Sequence, residues 1–224
     1  MTLNFRSFFV NISKMVLAGL NTLQIIFLIA APIAIIALVV FFIVLPINKK
    51  REKNGFREVC YKTIYRIAFD EDFYLINNFS YRVDSSKVAN IDHVLFGNKY
   101  IYLIIDVYYE GDLTGKETDT SLILIDRKGK KYYTENQYAV SKALVKSLVD
   151  STGIDPNLLI GIVVINNKCK INIETSSKQY YLIQKKNLKK LVRAIESRSV
   201  GNINAEQLGE LVKSFDKINR TKKK

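Results

Sequence analysis

The apolar positions of this chain follow three rhythms. From Leu23 to Leu45 they are continuous, and LQIIFLIAAPIAIIALVVFFIVL contains no charge. As a helix rising ~1.5 Å per residue this stretch is roughly 34 Å long, enough to cross a bilayer core with some tilt. Pro32 does not oppose this, because membrane helices accommodate proline. A cleaved leader fits less well: its apolar region would be shorter, and PINKKREK offers no small-residue cleavage site.

The second rhythm is helical. In GFREVCYKTIYRI the positions Phe56, Val59, Cys60, Thr63, Ile64 and Ile67 share one face. From Asn136 to Val149 the face predicted to point inward carries Val140, Ala143, Leu144, Ser147 and Leu148. NLKKLVRAI and AEQLGELVKSF close the chain as helices, with Asn204 and Gln207 spaced as a capping box. The third rhythm is extended. Strands are predicted at about 73–82, 89–96, 100–109 and 119–125, rich in Ile, Val, Tyr and Phe. GNK is short enough to make the second and third a hairpin. DRKGKK turns into YYT as a return strand, and CKINI and YYLIQ are two shorter strands. LLIGIVVI, Leu158 to Ile165, is apolar on both faces and reads as a central strand covered above and below.

Together these elements predict an α/β fold: a mixed β-sheet flanked by helices on both faces, with one core. The expected organisation is an N-terminal segment at 1–22, amphipathic along a membrane interface or outside it, and a transmembrane helix at 23–45. A basic linker at 46–54, the α/β domain at 55–218 and a basic, disordered tail at 219–224 follow.

Charge adds an orientation. Only Arg6 and Lys14 precede the apolar span, whereas Lys49, Lys50, Arg51 and Lys53 follow it. The positive-inside rule then predicts a single-pass protein of the cell membrane with its C-terminal domain in the cytoplasm. The chain carries 34 basic and 21 acidic residues, and all the acids lie after the span. Such an excess suits polyanionic partners, nucleic acid or an anionic lipid surface, and equally suits a solvated basic face. Cys60 and Cys169 match no metal-ligand spacing and form no disulfide framework; Cys60 reads as a buried thiol. There is no phosphate loop, no zinc ligand set and no nucleophile triad around the single histidine, His93.

Four stretches resemble the nuclease-related domain family (NERD), which has a restriction-endonuclease-like fold. GFRE opens the first helix of the domain as a Gly-x-x-Glu start does there. NIDHVLFGNKYIYLI is similar to the family's Asp-bearing strand, glycine turn and second apolar strand. YEGDLTG matches a Gly-x-x-x-Gly exit at Gly111 and Gly115. GKKYYTENQ is similar to a Gly-Lys and Asn-Pro-x-x-Gln region, without the proline. The likeness runs from about Gly55 to Asn166.

The resemblance implies metal-dependent phosphodiester cleavage, with carboxylates holding Mg2+ and a lysine stabilising developing charge. It places remnants of a site at Asp92, as catalytic and metal-holding carboxylate, at Glu58 and at Gln137. The Glu-x-Lys pair of the family, two same-face positions of a strand, falls on Ile105 and Val107. Asp106 stands between them and points to the other face, so using it would require a one-residue slip. The reading that follows is a catalytically degenerate, membrane-anchored nuclease-like domain that acts by binding and needs no cofactor. Lys128, Lys130, Lys131, Tyr132 and Tyr133 on one hairpin, and Lys185, Lys186, Lys189, Lys190 and Arg193 further on, are the candidate contacts to DNA or RNA. Against each remnant stands a bland role: Glu58 pairing with Lys62, Asp92 bonding a backbone amide or His93, Gln137 capping a helix. Two alternatives remain open from sequence, an active Mg2+-dependent nuclease with a displaced site and a membrane-tethered scaffold for a protein partner.

Overall fold

The structure, a computed structural model, describes residues 22–84 and 87–220. The N-terminal segment expected at 1–22 therefore lies almost wholly outside the described residues. The chain divides into two units, Met1–Asn54 and Gly55–Lys224. In the first, helix α1 (Thr22–Val39) passes through Pro32 and widens into a π-helical turn at Val40–Val44. Ile26–Val44 has a mean hydropathy of 3.2 and its side chains are uncovered. It is one helix long and apolar enough to cross a membrane.

Helix α2 spans Leu45–Asp70, so residues 46–54, expected as a linker, are helical. Lys, Arg and Glu are good helix formers, and the run Lys49–Lys53 carries the helix to the Asn54-Gly55 pair and on through it. Within the second unit α2 buries Phe56, Cys60, Ile64, Ile67 and Ala68 on one stripe. It stops at Asp72, whose left-handed backbone (φ 54°) lets Phe73 N–H reach back to the Ala68 carbonyl.

Among the described residues nine strands follow: β1 (Tyr74–Arg82), β2 (Val88–Phe96), β3 (Ile101–Val107), β4 (Asp112–Lys116), β5 (Ser121–Ile125), β6 (Lys131–Glu135), β7 (Leu159–Ile165), β8 (Ile171–Glu174) and β9 (Tyr180–Gln184). They build two mixed sheets rather than one, in the orders β1-β2-β3-β7-β9 and β6-β5-β4-β8. β2 and β3 form the predicted antiparallel hairpin, and β7 lies parallel to both β3 and β9. All seven residues of β7 are buried, as its unbroken apolar run requires. β4, which was not expected, joins β5 antiparallel and β8 parallel. Gly111 permits its approach: a Cβ there would lie 2.2 Å from the Ile125 carbonyl oxygen.

Three helices complete the unit: α3 (Gln137–Thr152), α4 (Leu188–Glu196) and α5 (Ala205–Ile218), the last opening with the predicted Asn204–Gln207 capping box. One core cluster joins α2 and α4 to the five-stranded sheet through Tyr102, Ile104, Ile162 and Val164. A second, around Phe79, Val94, Leu103 and Phe215, joins α3 and α5 to its other face. A third, around Leu113, Leu122, Tyr138 and Val163, joins the four-stranded sheet.

The buried face of α3 overlaps the expected one at Leu148, which is buried, and Leu144, which packs against the same core, but is turned from it elsewhere. Tyr138, Ser141, Val145 and Leu148 turn inward, while Ala143 is exposed. Ser141 packs where Gly161 leaves room, since a Cβ on Gly161 would lie 2.0 Å from Ser141 Oγ. Two residues of the predicted tail are tied to the fold. Asn219 is buried, and Arg220 N–H donates to the Ser80 carbonyl; residues 221–224 lie outside the described residues.

Candidate functional site

β2 and β3 pair only from His93–Ile104 to Phe96–Ile101. Beyond that point Val88–Ile91 pair with β1 alone, and Ile105–Val107 pair with β7 alone. The strands therefore fork, and Asp92 sits at the fork. Side-chain alternation breaks at the same place. Ile76 and Phe79, three residues apart, enter one core cluster, and so do Ile91 and Val94. Asn78 takes a left-handed backbone (φ 53°) there, opposite Asp92 by strand register.

The Asp92 carboxylate is occupied on both oxygens. Oδ2 accepts the backbone N–H of Asp106 at 2.9 Å, and Oδ1 is paired with the Arg57 guanidinium of α2. Arg57 also donates to Asn78 Oδ1 at 3.0 Å. Neither Arg57 nor Asn78 is marked as a site residue by the sequence. Arg57 lies next to a Glu on the outer side of an amphipathic helix, and nothing local announces a partner 35 positions away.

Behind the fork a second polar group is buried. His93 Nδ1 lies 2.6 Å from Asn77 Oδ1 and its Nε2 lies 2.9 Å from Asp106 Oδ2. Both side chains of the His93–Asp106 pair are about 97% buried or more (3% and 2% exposed), and Tyr61 stacks on the imidazole. The Cys60 thiol faces the same carboxylate, and burial followed by that negative neighbour pushes its pKa up. Asp106 thus faces the α2 side, whereas Ile105 and Val107 pack into the apolar cluster of the other sheet.

These residues do not suit Mg2+. A divalent cation wants several oxygen ligands converging on one point. Here one carboxylate is already bonded to an arginine and an amide, a second is turned away to a histidine, and the two same-face neighbours are aliphatic. No cluster of three His, Cys, Asp or Glu side chains able to hold a metal ion occurs among the described residues.

The other predicted site residues lie elsewhere. Glu58 is exposed and paired with Lys62 at 2.6 Å, which holds its carboxyl below the usual range. Gln137 is buried at the start of α3 beside the Tyr109 hydroxyl, while Asn136 caps the helix through Tyr138 N–H. Neither lines the groove of about 570 Å³ around Asp92, which is formed by Arg57, Asn78, Ser80, Asn90 and Arg220 with their neighbours.

The two basic clusters also separate. On the β5–β6 hairpin, Lys128 and Lys130 N–H groups donate to Asp126, whose carboxyl is thereby held low. Lys130 Nζ sits 5.0 Å from the Tyr132 ring centre, and Tyr132 donates to Asp126 at 3.3 Å; Lys131 stays exposed. In the other cluster Lys189 pairs with Asp70 at 2.5 Å and Arg193 with Glu71 at 2.6 Å. Lys185 and Lys186 form a 3-10 turn before α4, and Lys190 is exposed. Pairing removes part of the charge that a count of lysines suggests.

No family model matches this chain, and no curated protein matches it. A solved crystal structure of a protein of unknown function, AF1548, is similar at 10% identity over 70% of this chain and 78% of that one, with a TM-score of 0.35.

Proposed function

We propose that the second unit is a nuclease-related domain that has lost its metal chemistry and works by binding nucleic acid, anchored at the cytoplasmic face of the membrane by α1. The observation that carries this reading is the state of Asp92. Its two oxygens are taken by Arg57 and by the Asp106 amide, and Ile105 and Val107 fill the positions where the family resemblance asks for a carboxylate and a lysine. The guanidinium supplies the positive charge that a metal would otherwise bring. Binding then rests on exposed lysines outside the ion pairs, Lys131, Lys186 and Lys190 among them. Phosphate contacts of this kind give affinity without sequence preference and a steep dependence on salt.

The test uses the full chain in detergent micelles with DNA and RNA, each with Mg2+ and with Mn2+. No cleavage is expected in any combination, and single-stranded nucleic acid is retained at low salt and released as salt rises. Metal-dependent nicking that Asp92→Ala abolishes would replace this reading with that of an active enzyme. Absence of retention at low salt would remove the nucleic-acid partner.

A further inference from the structure

β6 is an edge strand: among the described residues it pairs with β5 and with no other strand. Its ladder fixes which groups are left over. Asp126 N–H donates to the Lys130 carbonyl, so residues 130, 132 and 134 exchange bonds with β5. In an antiparallel pair such residues alternate with ones whose N–H and C=O point the other way. Lys131, Tyr133 and Glu135 therefore direct their backbone groups outward, from a strand whose Tyr133 is 82% exposed.

The five residues, Lys-Tyr-Tyr-Thr-Glu, are complementary to themselves. An antiparallel pairing of two copies about Tyr133 sets Lys131 opposite Glu135 of the second copy, twice, and Tyr133 opposite its own counterpart. The outward backbone groups of residues 131, 133 and 135 then meet in register. Such an arrangement has the two-fold symmetry of an isologous interface, and opposite charges and aromatic pairs across strands both favour it. A parallel in-register pairing would instead set Lys131 against Lys131, which disfavours that alternative.

We infer that β6 is a self-recognition edge, through which two copies of this chain join their four-stranded sheets into one eight-stranded sheet. The partner is a second copy because the strand carries both halves of the charge pattern. An edge made for an acidic or a basic peptide would carry one sign only. This inference stands independently of the nuclease-related reading.

Cross-linking of the full chain in micelles tests it. Cys60 and Cys169 are both fully buried, so an introduced thiol is the one exposed. In the proposed register the two Tyr133 Cα atoms are ~5.5 Å apart, within disulfide range. Tyr133→Cys treated with diamide should give a covalent dimer. Lys128→Cys, five residues from the axis in each copy and hence about 30 Å from its counterpart, should not. Adding Lys131→Glu to Tyr133→Cys should lower the cross-linked fraction on the order of tenfold, and adding Glu135→Lys as well should restore it. Light scattering of the unsubstituted chain should give a protein mass of two copies. A single-copy mass, equal cross-linking at residues 128 and 133, or insensitivity to the charge reversal would each overturn the proposal.

Discussion

The strand fork and the β5–β6 hairpin treat charge in opposite ways. At the fork each acid has a side-chain partner: Asp92 with Arg57, Asp106 with His93, and both acids lie close to the core. On the hairpin Lys128, Lys131 and Glu135 face solvent, and the outer edge of β6 offers backbone groups with no neighbouring strand among the described residues. The first region spends its polar groups on internal order and has little left to offer a ligand. The second contributes little to the core and keeps its polar groups available. Where the family resemblance expects chemistry the carboxylates already have partners; on the hairpin the molecule is open.

That contrast predicts a gradient of effects, read by denaturation of the full chain in micelles with tyrosine circular dichroism. The largest belongs to Asp106→Ala, which leaves His93 Nε2 without its buried hydrogen-bond partner and should cost about 1–3 kcal/mol. Replacing both partners, Asp106→Leu with His93→Leu, should recover much of that loss; an equal loss in the double variant would show that packing, not pairing, dominates there. Arg57→Ala comes next at ~1 kcal/mol, because its side chain is 59% exposed and solvent screens the pair. A much larger loss would mean that the fork depends on the guanidinium.

Glu117 gives a pH-dependent effect. Its bonds to Lys142 and Thr175 hold its carboxyl at about 2, below the ordinary value of 4.5. A depressed carboxylate stabilises the fold above the unfolded value and loses that contribution as pH falls toward 2. Glu117→Gln should flatten the change in midpoint between pH 4.5 and 2, and an unaltered profile would assign the acid sensitivity elsewhere. Smallest of all, Lys130→Ala on the hairpin should stay within ~0.5 kcal/mol of the parent. A loss comparable to that of Arg57→Ala would erase the contrast between the two regions.

Much of the fold was legible because the elements are locally consistent. The unbroken apolar run of β7, the short GNK turn and the capping box each express a single physical rule within a few residues. What escaped depends on contacts distant in sequence. β4 reads as a polar, glycine-bearing loop and becomes a strand only because Leu113 pairs with Ile171 and Gly111 fits against Ile125. That pairing also creates the second sheet. The face of α3 is set by Ser141 meeting Gly161, a small-residue fit that hydrophobicity does not reveal. At the candidate site the aliphatic Ile105 and Val107 and the opposed direction of Asp106 followed from strand period alone. The backbone amide on Asp92 was also foreseen; the guanidinium was not, since Arg57 reaches the carboxylate only through the tertiary packing of α2.

The broken alternation at Asn78 and Asp92 has a consequence for how this hairpin tolerates change. Both strands exchange their inner and outer sides at the same rung, so neither can return to regular pleating while the other stays as it is. A deletion in β1 alone would turn Phe79 and Tyr81 out into water while Ile91 remained inside. Sequence drift across this rung must therefore be concerted. A saturation scan should show apolar-only positions spaced by three at 76–79 and 91–94, and by two along the rest of the ribbon.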